Sequence, residues 1–214
     1  MKYKTEHKII FNINADRVFL VIMGFIGGLD VNHSRDITLI IMLSVITLIF
    51  RFLVSRTVAM IQIPGFIYVL SIFFSIIQSL AFLLFKGKRW RLFTLGVLST
   101  LLFMIFINPT FRPNEMAILL NYFSADIIFN SFYRRFEQKS KLLSLTIIFQ
   151  LYYWIAYAFW ILILSTALFY PFERFMQNWF VPIMSVMLPI MIIEALAGSF
   201  IGYKIYRRVE KLLY

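Results

Sequence analysis

Seven stretches of the chain are nearly free of charge, and short polar or charged segments separate them. They cover residues 18–31, 37–54, 65–85, 92–107, 116–133, 142–170 and 178–203. A helix needs about 20 mostly apolar residues, at 1.5 Å rise each, to cross a bilayer. Most of the runs meet or approach that length; the first is short and broken by Gly24, Gly27 and Gly28. The pattern predicts an all-α, polytopic membrane helix bundle. No internal repeat and no long linker divides it, so residues 1–214 read as a single membrane domain. Residues 1–17 form a basic leader and residues 204–214 a basic tail.

Charge decides how many runs cross. Short cytoplasmic loops collect Lys and Arg. Four clusters hold sixteen of the 21 cations: Lys2, Lys4, Lys8 and Arg17; Lys86, Lys88, Arg89 and Arg91; Arg134, Arg135, Lys139 and Lys141; and Lys204, Arg207, Arg208 and Lys211. Seven crossings would put the leader opposite the other three clusters. If residues 18–54 supply one net crossing, all four clusters share a side, and Arg112 and Arg174 face outward. The expectation is therefore about six transmembrane helices in the plasma membrane, with both termini cytoplasmic. Either of the first two runs is then interfacial or re-entrant, and the pattern does not choose between them.

Composition narrows the class further. Hydrophobic residues make up 61% and charged residues 14%, against about 45–50% and about 25% in soluble domains. The net charge of +11 falls in clusters between apolar runs, as topology signals do, which argues against nucleic acid. With no cysteine, disulfides, thiolate metal sites and cysteine nucleophiles are excluded. His7 and His33 are too few and too far apart for a metal site. No A-x-A cleavage site follows the charged leader, so no cleavable signal peptide is expected. There is no phosphate-cradling G-x-x-x-x-G-K-[ST], no H-E-x-x-H and no G-x-S-x-G. The chain is expected to be no enzyme and to hold no cofactor, and any ATP-driven work requires another subunit.

The candidate chemistry lies in polar groups inside the runs, which are costly there and functional by default. Asp126 and Glu194 are the acids; Gln78 and Gln150 are the amides. Each falls eight to ten residues from a basic cluster, about 12–15 Å from the cytoplasmic edge. Four helices would share one polar layer, with Tyr152, Tyr153 and Trp154 offering stacking surface nearby. Such a layer suits a ligand site, interhelical hydrogen bonding or a proton path. Trp90, Trp160 and Trp179 read as interfacial anchors. Gly24 with Gly28, and Gly198 with Gly202, form two G-x-x-x-G stripes on which another helix can pack closely.

Three stretches carry a family resemblance. "AILLNYFSADIIFNSFYRRF" (117–136), "IPGFIYVLSIFFSIIQSLAFLLFKGKRW" (63–90) and "MLPIMIIEALAGSFIGYKIYRRV" (187–209) resemble segments of the substrate-binding S components of energy-coupling factor (ECF) transporters. The first is similar to YkoE-type thiamine-precursor components. The resemblance implies a non-enzymatic subunit that captures a vitamin or other micronutrient. It further implies partners, namely a transmembrane coupling protein and a pair of ATPases. Gln78, Asp126, Asn130, Gln150, Tyr153 and Glu194 are then the candidate ligand residues, for a small molecule that buried acids suit best if cationic. Gly24 and Gly28 would dock the coupling protein, glycine standing where the family typically has alanine, and Gly198 and Gly202 would serve helix packing. Two other classes fit the same sequence. One is a stand-alone proton-coupled secondary transporter using Asp126 and Glu194; the other is a membrane accessory subunit with no ligand.

Overall fold

The structure, a computed structural model, describes residues 34–60, 66–107, 113–138, 141–168 and 181–213. The run over 18–31, with Gly24 and Gly28, lies outside the described residues, as does Trp179. Six helices carry the rest: α1 (Ser34–Met60), α2 (Phe66–Leu84), α3 (Arg91–Phe106), α4 (Pro113–Gln138), α5 (Leu142–Leu168) and α6 (Val181–Leu213). No strand occurs among the described residues. The expected all-helical bundle is what the chain forms.

Local signals set the helix ends. Pro113 opens α4, where its missing N–H costs nothing, and Glu115 follows in the first turn, where a carboxylate suits the positive end of the helix dipole. Gly87 ends the α2 region at φ +70°, a conformation that L side chains rarely adopt. A Cβ there would also lie 2.6 Å from the Cβ of Tyr133, so both conformation and space require glycine. The apolar run over 178–203 under-predicts α6, which continues through the basic tail to Leu213. Its last turns are tied down: the Tyr206 hydroxyl donates to Glu210 at 2.6 Å, and Glu210 faces Lys86 at 3.6 Å.

The helices close into a ring in the order α1, α3, α4, α5, α6, α2, and α2 also touches α5 across the middle. Phe82 and Phe149 stack at 4.5 Å in the core, with Phe129 edge-on to Phe149 at 5.4 Å. The sign of the chain direction follows from ion pairs. Lys88 and Arg91 meet Asp36, near the start of α1, at 2.7 and 3.3 Å. The start of α1, the α2–α3 loop, the end of α4 and the end of α6 therefore gather at one basic end. Successive helices alternate in direction, and the run over 37–54 supplies a long helix to this bundle.

Outward faces are apolar. Ile41, Val45, Ile49 and Phe52 are exposed along α1, and Leu188, Ile192, Leu196 and Phe200 along α6. Among the described residues, three helical spans are long and apolar enough to cross a membrane: Arg35–Leu53, Leu142–Ala167 and Leu188–Lys211.

Candidate functional site

The four polar residues expected to share a layer are distributed over three places. Gln150 of α5 donates its amide to the Ser75 carbonyl at 2.8 Å and to the Ser79 hydroxyl at 2.9 Å. It closes the junction where α2, α5 and α6 meet. Gly198 and Gly202 complete that junction from α6. A Cβ at Gly198 would collide with Ser75, and one at Gly202 would lie 2.7 Å from the Cβ of Ser79. Ser199 donates to the Thr146 carbonyl at 3.2 Å on the α5 side. Glu194 lies one turn before Gly198 and is buried.

Asp126 sits elsewhere, at the start of α3. Its carboxylate accepts the backbone N–H of Trp90 at 3.0 Å and of Phe93 at 2.8 Å. The first N–H groups of a helix have no partner within it, so an acid here satisfies donors and meets the positive end of the dipole. Trp90 is left-handed and offers no side-chain cap of its own, so the cap comes from α4. Asn130, one turn on, donates to Asp126 and, at 3.3 Å, to the Lys88 carbonyl. Asp126 and Asn130 thus hold the basic α2–α3 loop against α4. Equal sequence distance to a basic cluster did not mean equal surroundings, because that loop is recessed to the level of Asn130.

Gln78 and Tyr153 fall in a third place, and there the structure gathers polar groups that the sequence pattern left unconnected. Gln78 donates to the Tyr122 hydroxyl at 3.5 Å. The rings of Tyr122 and Tyr153 meet edge to face at 5.3 Å. Asn121 donates to the Tyr153 carbonyl at 2.8 Å, and Trp154 donates its indole N–H to Ser75 at 3.1 Å. Tyr122 rests on Gly96, where a Cβ would lie 2.5 Å from its ring.

Two turns of α4 above Tyr122 lie Asn114 and Glu115. Glu115 faces Arg51 of α1 at 3.8 Å, with 4% and 11% of the two side chains exposed. Tyr157 donates to Asn114, and Asn114 donates to Glu115 at 3.4 Å. The Arg51 guanidinium carbon stands 3.8 Å from the centroid of the Phe103 ring, a cation over a π face. Arg51 is fifteen residues beyond Asp36, about 22 Å along α1, so this cluster occupies the end opposite the basic loops.

The cluster has the makings of a binding site: one guanidinium, one carboxylate, three tyrosines and amide side chains inside the bundle. At 3.8 Å the Arg51–Glu115 pair is held by charge without a direct hydrogen bond between the two. On the side of the cluster toward Tyr122, the amide oxygens of Gln78 and Asn121 are buried and accept no hydrogen bond among the described residues. Such acceptors in an interior favour a ligand bearing N–H or O–H donors.

Sequence reasoning missed Arg51, Asn114, Glu115, Tyr122 and Tyr157. The signal was present for Arg51, a lone cation near the end of an apolar run, which demands a buried counter-charge. Glu115 was hidden because it lies just before the run over 116–133. Comparisons with protein-family models, with curated proteins and with solved structures find no match.

Proposed function

We propose that this chain is the substrate-specific membrane component of an ECF-type importer, which captures a vitamin-like small molecule for uptake driven by partner ATPases. The observation that carries the reading is the Arg51–Glu115 pair, buried beside Asn114 and Tyr157 and two turns of α4 from Tyr122, at the end away from the basic loops. In a six-span arrangement with the basic clusters cytoplasmic, that end faces outward, where an importer meets its substrate. Apolar side chains on the outside of α1, α4, α5 and α6 suit contact with lipid.

The ligand residues of this reading are Arg51, Glu115, Gln78, Tyr122, Tyr153 and Tyr157. Glu115 receives a cationic or N–H-bearing group, Arg51 an electron-rich one, and the tyrosines supply aromatic walls and hydroxyl contacts. Asp126 and Asn130 act on the α2–α3 loop instead. Gln150, Gly198 and Gly202 hold α2, α5 and α6 together, and the resemblance carried by 187–209 supports a packing role for the last two.

Purification from the native membrane tests the reading, with bound small molecules and associated ATPase subunits identified together. A retained micronutrient and a co-purifying ATPase pair are expected. Transport by the reconstituted chain alone, driven by a proton gradient, would instead establish the secondary-transporter alternative.

A further inference from the structure

A second polar region lies at the opposite end and takes no part in the proposed capture site. A cavity of about 560 Å³ opens between the α2–α3 loop and α4. Five of its lining residues are cations: Lys86, Lys88, Arg89, Arg91 and Arg134. Asn130 and Ser131 contribute polar groups from α4. The carboxylates at its edge are fewer. Asp36 pairs with Lys88 and Arg91, Glu210 pairs with Lys86, and Asp126 is engaged by the α3 N-terminus. Among the described residues that line the cavity, five are cations and none is a carboxylate.

Arg91 makes the cavity more than a solvated basic rim. Its side chain is 6% exposed, its Nε donates to Asp36, and its Nη1 is buried with no hydrogen-bond partner among the described residues. A buried guanidinium with an unused donor retains capacity for an anion.

What adjoins the cavity indicates the kind of anion. Trp90, exposed between Arg89 and Arg91, leans on Phe93 and Phe123, with ring centroids 6.2 and 6.1 Å away. On α4, Ile127 and Phe123 are exposed one and two turns before Ser131. The same face is therefore apolar on the bundle side and cationic at the end. A soluble phosphate uses only the second half of that surface; an amphipathic molecule uses both.

We propose that this cavity binds an anionic phospholipid, its phosphate among Arg89, Arg91 and Arg134 and its acyl chain along Trp90, Phe123 and Ile127. Basic pockets between helices at the cytoplasmic face suit such headgroups. The inference rests on the membrane reading but not on ligand capture or on any ATPase, and it is tested without either.

The experiment follows thermal unfolding of the purified full chain in neutral detergent, titrated with phosphatidylglycerol, phosphatidylcholine or glycerol 3-phosphate. Phosphatidylglycerol is expected to raise the midpoint by several degrees, and the other two to leave it unchanged. Arg89 and Arg134 are exposed, so Arg89→Gln and Arg134→Gln are each expected to fold. Each lowers the apparent affinity for phosphatidylglycerol about fivefold, as loss of one lipid-facing cation does. Arg135→Gln and Arg208→Gln, exposed cations outside the cavity, keep the wild-type response. An equal shift with phosphatidylcholine, or an equal loss in the two control variants, would overturn a specific site. A full shift with glycerol 3-phosphate would overturn the lipid as its occupant.

Discussion

Arg51 of α1 and Glu115 of α4 face each other at 3.8 Å, on helices that are not neighbours in sequence, with little of either side chain exposed. Burying two charges is expensive, and their attraction offsets the expense only while both are present. The pair therefore ties α1 to α4 near the end where α3 also contributes Phe103. It brings together two residues that the apolar pattern left at the margins of separate runs.

Removing one member strands the other. Arg51→Gln or Glu115→Gln alone is expected to destabilise the chain by about 3 kcal/mol. The double variant, which leaves no buried charge, is expected to lie closer to the wild type than either single one. Thermal unfolding of the four proteins, read as a double-mutant cycle, checks this. Additive losses would show that the two charges do not depend on one another.

Asp126 acts as a cap, and its two backbone acceptor contacts define what its loss does. Asp126→Asn removes the charge that the α3 N-terminus favours and one full acceptor position. A cost of about 1–2 kcal/mol is expected, in the range of lost N-caps. Ligand affinity should stay within twofold of wild type, because the carboxylate faces Trp90 and Phe93 and not the Arg51 cluster. A large drop in affinity with unchanged stability would return Asp126 to the ligand site that the sequence pattern suggested for it.

The helices themselves were legible because a long apolar run has few ways to satisfy its backbone, and a helix is the simplest. The runs over 65–85, 92–107 and 142–170 each match a helix to within two residues. The site was only partly legible, since depth can be counted along a chain but direction around a helix must be shared with a neighbour. Gln78 and Asp126 are each eight residues from a basic cluster. Yet Gln78 reaches Tyr122, one turn before Asp126 on α4, so Asp126 lies about 6 Å nearer the basic end. The recessed α2–α3 loop causes the offset, and nothing in a hydropathy pattern reports how far a loop dips. Gly198 and Gly202 were readable as a packing stripe, but Ser75 and Ser79, the surface they receive, carried no signal of their own.

That stripe yields a steric test. Gly198→Ala puts a methyl group where Ser75 stands, and neither backbone can retreat without disturbing Gln150 and its bonds to Ser75 and Ser79. Overpacking of this kind costs about 1–3 kcal/mol. Ser75→Gly in the same chain should restore part of the loss by vacating the space. If Gly198→Ala instead kept full stability and weakened association with another subunit, the stripe would belong to an external interface.

The amide acceptors give the sharpest test of where a ligand binds. Gln78 donates to Tyr122 and holds its Oε1 unpaired in the interior. A ligand N–H directed at that oxygen gains a hydrogen bond in a medium that offers no competing water, and the residue that supplies it then matters more to affinity than to stability. Gln78→Leu removes both halves of the amide at similar volume and leaves no stranded acceptor at that position, so stability should change by less than about 1.5 kcal/mol. Affinity for the small molecule retained on purification should fall about tenfold, the equivalent of one buried hydrogen bond. Tyr153→Phe, which removes only a hydroxyl from the same place, should act in the same direction, whereas Gln150→Leu should weaken the α2–α5–α6 junction and lower stability first. Equilibrium binding and thermal unfolding measured on the three variants separate these outcomes. A pattern in which Gln150→Leu alone reduces affinity would move the ligand away from the Arg51 cluster and toward the junction beneath Glu194.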